Sequence, residues 1–437
     1  MGEGIKSMVT RGLPGSKLFS VPMMTKSHSR RCFLNSLASL SASAWLADLE
    51  NLTAAGRNQV KITNIKTMAL QGPRTYMLVK VETDAGVDGI AEAYGSPGLG
   101  VREAIHGLRG LFVGQDPLQI DRLYTRYRYT DGSAHAQQRA MSGIEMALWD
   151  LAGKVLDVPT HALLGGKFRN RVRLYDHSRP SNFLDKGACR AWAQEVKQNP
   201  NGITMHKFGP QRTGPADDPG RDPSNRLLSS RELRQIRQGL ENCREALGFE
   251  HDLLIGCHWE FDLRTAIDLA HAVAPIKPLF LEDPLPVAYS ESWKRLVQMS
   301  PVPICTGENW MRRADALPFV VNSAIDILHP DLRNSGGFLE NKRMADLADL
   351  YALPMANHNT GSIVNGMATI HWAATIRDYL ACETVFFDGG WMDEIIVHNE
   401  PLCRDGFVEV PDKPGLGIEL NPDTVKAHLA PGETWWG

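Results

Sequence analysis

Short hydrophobic runs recur along the second half of the chain, and each ends in polar or charged residues. They read VRLYDHS, ITMHKFG, LLIGCHW, KPLFLED, VPICTGE, AIDILHPD, LPMANH and ETVFF, the first starting at Val172. Between them lie stretches long enough for a return helix, so the pattern predicts alternating strands and helices. Gly256, Glu282, Glu308, Asp331, His358 and Glu383 mark six of the run ends, at intervals of 26, 26, 23, 27 and 25 residues. That interval fits one strand plus one helix and places the polar ends on one face of a parallel sheet. Eight such strands close a (β/α) barrel, and this face is then the active-site face.

The pattern upstream is different. VKITNIKTMAL and TYMLVKVETDAGVDGIAEAY alternate as strands, the second broken by a D-A-G turn. In QQRAMSGIEMALWDLAGKVL (137–156), Met141, Ile144, Leu148, Leu151 and Val155 recur at helical spacing, with Pro159 just beyond. The reading is therefore an α+β module at 58–170, a barrel at 171–397 and a C-terminal segment at 398–437 that packs back on the first module. The interval from Lys207 to Gly256 is about twice the regular one. The excess is the Pro/Gly-rich 209–226, expected as a loop over the site.

Residues 29–34 read SRRCFL and precede the mildly apolar NSLASLSASAWLA. This describes a twin-arginine export signal, with Met24 as its more usual start, rather than a membrane span. Residues 1–57 are therefore read as a leader, and the expected location is the periplasm or beyond; the cytoplasm is the alternative if the leader is not a signal. A net charge of −3 over 437 residues gives no basis for nucleic acid or an anionic membrane as partner. The seven cysteines form no CxxC pair and no His/Cys metal cluster, so Cys257 and Cys305 read as buried thiols.

GIEMALWDLAGK, LFLEDP, TGE, HPDLRNSGG and VPDKPGLGIEL occur in the order and spacing of the enolase superfamily. The chain resembles its mandelate racemase and sugar-acid dehydratase branch from about residue 60 to 425. The resemblance implies an α+β capping domain over a modified (β/α)7β barrel, with the site between them. It also implies removal of a proton next to a carboxylate, with a divalent cation stabilising the enediolate. Glu282 and Glu308 match two metal-ligand positions, and oxygen ligands favour Mg²⁺, with Mn²⁺ as the alternative. The third ligand position, an aspartate in relatives, is Gly256. Residues 256, 258 and 260 share strand parity. On an extended strand His258 lies about 6.6 Å along and Glu260 about 13 Å, so His258 or water is the nearer substitute.

His358 and Asp331 match the family's dyad, in which the carboxylate fixes the imidazole tautomer and His358 acts as general base. His258 matches the general acid of galactonate-type dehydratases, a role that competes with metal binding. Lys207 matches the first basic position on strand two. Gly209 leaves the second empty, which argues against two-base racemisation. Glu383 matches a position that hydrogen-bonds the substrate carboxylate region, either protonated or through a neighbour. The resemblance thus implies a dehydratase that converts an aldonate to a 2-keto-3-deoxy acid. An epimerase or racemase, or a non-catalytic sugar-acid binder lacking the third carboxylate, remain alternatives. Loops near 71–75 and 94–100 are expected to select the substrate, and a homo-oligomer is expected.

Overall fold

The computed structural model describes residues 60–436 except 96, 97, 99, 131–134, 211–217, 223, 260, 385, 386, 388 and 389. The twin-arginine segment, Glu260 and much of the 209–226 insertion thus lie outside the described residues. Three antiparallel strands open the described chain: β1 (Ile62–Gln71), β2 (Thr75–Thr83) and β3 (Asp88–Ala93). Helices α1 (Val101–Phe112), α2 (Ile120–Thr130) and α3 (His135–Leu156) follow. Met141, Ile144, Leu148 and Leu151 are fully buried on α3, as the helical spacing requires. A short α4 (Thr160–Leu163) then leads into the barrel.

Eight strands form the barrel: β4 (Arg171–Tyr175), β5 (Met205–Phe208), β6 (Asp252–Gly256), β7 (Leu281–Glu282), β8 (Ile304–Thr306), β9 (Ile327–Leu328), β10 (Met355–Asn357) and β11 (Tyr379–Glu383). Neighbours are parallel from β5 through β11 to β4. A parallel bridge between Asp176 and His206 closes the ring, with Lys207 N donating to Asp176 O at 2.8 Å. Helices α5 (Lys186–Gln198), α6 (Ser230–Leu247), α7 (Leu263–Val273), α8 (Glu291–Met299), α9 (Arg313–Val321), α10 (Gly337–Leu350) and α11 (Ile363–Ala374) each follow one of the first seven strands. After β11 the chain forms the hairpin β12 (Cys403–Arg404) and β13 (Phe407–Glu409), and β13 pairs antiparallel with β4. The architecture is therefore a (β/α)7β barrel with a separate small sheet. A last helix, α12 (Pro422–Ala427), precedes a bridge from Leu429 to Leu70. Among the described residues no helix is long and apolar enough to cross a membrane, and Cys257 and Cys305 are buried.

The barrel interior accounts for four of the six marked run ends, Gly256, Glu282, His358 and Glu383. Tyr175, Met205, Leu254, Phe280, Cys305, Ile327, Ala356 and Ala381 form one apolar cluster, with one residue contributed at each strand. Side chains alternate along a strand, so the next inward position is two residues on. Those positions are His177, Lys207, Gly256, Glu282, Gly307, His329, His358 and Glu383. A layer of functional groups thus sits directly above a packed apolar floor.

Candidate active site

Lys207 stands at the centre of this layer. Its Nζ lies 2.9 Å from Glu282 Oε2 and 2.7 Å from Glu383 Oε1, almost fully buried. Burial alone would lower its pKa, but Glu282 and Glu383 hold it well above the ordinary lysine value. The carboxylates answer in kind. Burial would raise Glu282, yet Lys207 and then His329 keep it well below the usual carboxylate range. His329 Nδ1 is 2.9 Å from Glu282 Oε1, while its Nε2 meets the Tyr175 hydroxyl at 2.7 Å.

Glu383 has the same balance: burial raises it, and Lys207, His358 and His177 bring it well below its ordinary value. Its Oε1 also meets His177 Nε2, and its Oε2 accepts from Asn359 N at 2.9 Å. These contacts stabilise the ionised form of Glu383 and set Lys207 and His177 beside it.

His358 and Asp331 form the expected pair, with Nδ1 2.8 Å from Asp331 Oδ2. Asp331 also accepts from Arg333 Nη2 at 2.8 Å and Arg333 Nε at 3.2 Å. Burial would raise Asp331, but Arg333 and then His358 hold it well below the carboxylate range. Burial would lower His358, whereas Glu308, Glu383 and Asp331 raise it well above the usual histidine value. With Nδ1 committed to Asp331, Nε2 is the ring nitrogen left for other contacts. It lies 3.5 Å from Glu308 Oε2, and His358 lines a cavity of about 580 Å³.

The structure departs from the sequence reading in two respects around Gly256. Strand β6 ends at Gly256, and His258 and Trp259 take φ of 55° and 60°. At His258 the chain therefore leaves the extended path on which the parity reading rested, because left-handed backbone turns it aside. The His258 ring still reaches the vacant place: a Cβ built on Gly256 would lie 3.7 Å from His258 Cε1 and 3.0 Å from Glu282 Oε2.

A second difference from the sequence reading is Asp283, a carboxylate beside Glu282 and Glu308 that the sequence did not offer. One ligand atom from each of Glu282, Asp283 and Glu308 can be chosen so that all lie within 4.8 Å of one another. Asp283 is 1% exposed, its Oδ1 accepts from the Thr306 hydroxyl, and its Oδ2 has no partner. Burial, reinforced by Glu308 and Glu282, pushes its pKa well above the ordinary value. Strand alternation would send residues 282 and 283 to opposite faces, but φ of 48° at Asp283 overrides this. Three hard-oxygen donors, one of them buried and unpartnered, suit a divalent cation such as Mg²⁺.

Arg74, Tyr94, His177, Arg179, Lys207, Gly209, Gly256, His258, Glu308, His358, Thr360 and Glu383 all line the cavity. His177, His329, Asp283, Arg74 and Arg179 were not singled out from sequence. The two-residue offset from the apolar floor would have found His177 and His329; no periodicity marks the others.

Comparison with known proteins places both domains in a family. Residues 57–165 match the mandelate racemase / muconate lactonizing enzyme N-terminal domain, and residues 189–424 the enolase C-terminal domain-like family. A D-xylonate dehydratase of Haloferax volcanii is 36% identical over 90% of this chain and 94% of its own length. A D-galactonate dehydratase of Xanthomonas campestris is 29% identical over 84% of this chain and 94% of its own. A mandelate racemase/muconate lactonizing enzyme-like protein from Rubrobacter xylanophilus superposes with a TM-score of 0.80 at 31% identity, covering 87% of this chain and all of that one. With both domains matched in order over most of its length, the chain belongs to the mandelate racemase/muconate lactonizing enzyme family of the enolase superfamily.

Proposed function

We propose that the protein is a metal-dependent dehydratase of an aldonate, a monocarboxylic sugar acid, and a hydro-lyase by class. The observation that carries this reading is the base positioned by the His358–Asp331 pair. His358 lines the cavity, Asp331 holds its Nδ1, and Gly209, the residue just after β5, offers no second base. An elimination needs one base and one acid, whereas a two-base racemisation would need a partner where Gly209 stands. The dehydratases of D-xylonate, D-gluconate and D-galactonate among its relatives support the same class.

In this reading Glu282, Glu308 and Asp283 hold Mg²⁺, with Mn²⁺ as a substitute. A divalent cation held there would neutralise the negative charge that builds on the substrate carboxylate as the C2 proton leaves. Lys207, anchored by Glu282 and Glu383, presents positive charge to the same carboxylate. With a cation on Glu308 offsetting the charge that raises His358, the imidazole would be neutral; its Nε2 then takes the C2 proton, the C2–C3 double bond forms, and the C3–O bond breaks. His258 gives its proton to the departing hydroxyl, which leaves as water. The enol then becomes the 2-keto acid by taking a solvent proton at C3. Competing use of His258 as a metal ligand belongs to the same proposal.

A sugar-acid library with Mg²⁺ tests it. A 2-keto-3-deoxy acid carrying one deuterium at C3 in deuterated water is expected. No turnover together with tight binding of an acid would instead make the protein a sugar-acid binder, the outcome that a glycine at 256 favours. We further propose export by the twin-arginine route; unchanged export after Arg30 and Arg31 are both replaced by lysine would remove that reading.

A further inference from the structure

Arg333 is fully buried, and each of its guanidinium nitrogens is committed. Nε and Nη2 grip both oxygens of Asp331 at 3.2 and 2.8 Å, and Nη2 also reaches Thr360 Oγ1 at 3.2 Å. Nη1 donates to Glu92 Oε1 at 3.0 Å. Glu92 belongs to β3 of the capping sheet, lies 241 residues away in sequence, and is itself fully buried. Its second oxygen accepts from the backbone and hydroxyl of Ser362, the N-cap of α11. Tyr94, also from the capping module, lays its ring 4.5 Å from Arg333 Cζ and 4.4 Å from Arg139 Cζ. Gly361 leaves room for this pair. A Cβ there would lie 2.8 Å from both Arg333 Nη1 and Glu92 Oε1.

A guanidinium is a rigid planar fork, so gripping both Asp331 oxygens fixes the plane of that carboxylate. The plane fixes where Oδ2 meets His358 Nδ1, and this sets the direction in which Nε2 points. Held by Asp331 alone, Arg333 could swing with it. Glu92 on the opposite side pins the fork, and Tyr94 stacks over it. The barrel's base is thus oriented by a chain of charges that begins in the capping module. Tyr94 also lines the cavity, so the element that pins Arg333 touches the space a substrate would fill.

We infer that Glu92 and Arg333 are positioning residues for the His358 base, through the continuous chain Glu92–Arg333–Asp331–His358 that ties the capping sheet to the catalytic imidazole. Only the kinetic arm of the test rests on the dehydratase reading.

The first arm follows the histidine rings by long-range ¹H–¹⁵N correlation at one pH, with the His358 signals identified by their loss in His358→Asn. Wild type is expected to show a single ring state with the Nδ1 proton held. Glu92→Gln and Arg333→Met are expected to show broadened or doubled His358 signals, and Arg333→Lys a partial return. In the second arm, Glu92→Gln should lower kcat about 10- to 100-fold, as loss of an outer-shell partner does, with KM and Mn²⁺ affinity within about two-fold of wild type. Where Arg333→Met fails to fold, Glu92→Gln and Gly361→Ala carry the test, since both disturb the same ion pair. His358 signals unchanged in Glu92→Gln overturn the inference, whatever the turnover. An inactive wild type counts against the dehydratase reading alone, and the spectra still decide this one.

Discussion

Lys207 and Glu282 form a buried ion pair at 2.9 Å inside the cluster of carboxylates that would bind the cation. An ammonium and a divalent ion therefore share one ligand. Their repulsion at an effective dielectric of about 20 amounts to several kcal/mol. Lys207→Met should then tighten Mn²⁺ binding by roughly 10-fold or more, because Glu282 and Glu383 are left uncompensated. Turnover should fall in the same variant. Calorimetric titration with Mn²⁺ measures the first effect, and weaker binding in the variant would show that the lysine does not compete.

Gly256→Asp should act in the same direction, by adding negative charge to the cation-free cluster. The new Cβ would stand 3.0 Å from Glu282 Oε2, bringing another carboxylate against an ionised one. The melting temperature without metal is expected to fall. With saturating Mn²⁺ it should rise by more than in wild type, since a ligand that binds only the folded state stabilises it by an amount that grows with the logarithm of its affinity. Equal Mn²⁺-induced shifts in the two proteins would exclude a role for position 256 in the metal site.

Much of this arrangement was legible in the chain. The spacing of Glu282, Glu308, Asp331, His358 and Glu383 reports a strand-plus-helix repeat, and the barrel brings those residues to one end. What escaped has physical causes. Asp283 reaches the cluster through a left-handed backbone angle that no alternation rule anticipates in an aspartate. Glu92 meets Arg333 across 241 residues, so only tertiary structure pairs them. His258 was placed by extending β6 beyond Gly256, where the chain in fact turns.

His258→Asn separates two roles. His258 lines the cavity, and its ring lies beside the place where a side chain at 256 would begin. As the acid for the departing hydroxyl, its loss should lower turnover by about 10² to 10⁴ while Mn²⁺ affinity stays unchanged. Lost Mn²⁺ affinity would transfer it to the ligand set.

Glu145 supports a different prediction, on stability. From α3 it accepts from Phe338 N at 2.8 Å, Leu339 N at 2.9 Å and Trp149 Nε1 at 2.6 Å, closing the exposed amides at the start of α10. Gly337, with φ of 72°, lets the carboxyl come this close, and a Cβ there would lie 1.9 Å from Glu145 Oε2. Gly337→Ala should cost about 3 kcal/mol or more by orphaning buried amides and straining the backbone. In contrast, Gly110→Ala on α1, where nothing lies within 4 Å of the added methyl, should stabilise by up to about 1 kcal/mol. Denaturation midpoints of the two variants that move in the same direction would refute this account.

His371 gives the pH dependence. It is fully buried; Nδ1 accepts from His161 N at 3.2 Å and Nε2 donates to Leu416 O at 3.1 Å. The neutral ring satisfies both contacts, whereas protonating Nδ1 would set a proton against an N–H donor. Burial, with His161 adding to it against the pull of the Leu416 carbonyl, brings the pKa down from 6.5 to about 4. A base with a depressed folded pKa contributes fully above its unfolded value. Below about pH 6.5 the unfolded chain takes up a proton that the folded protein refuses, so stability falls until about pH 4. Between pH 7.5 and 5 this one group should cost about 2 kcal/mol. His371→Asn keeps an acceptor near the Nδ1 position but does not titrate. The variant is expected to be less stable than wild type at pH 7.5, having lost the bond to Leu416, and to lose about 2 kcal/mol less than wild type on acidification. All other titrating groups are common to both proteins and cancel in that difference. Parallel stability–pH curves for the two would show that His371 takes up its proton in the folded state.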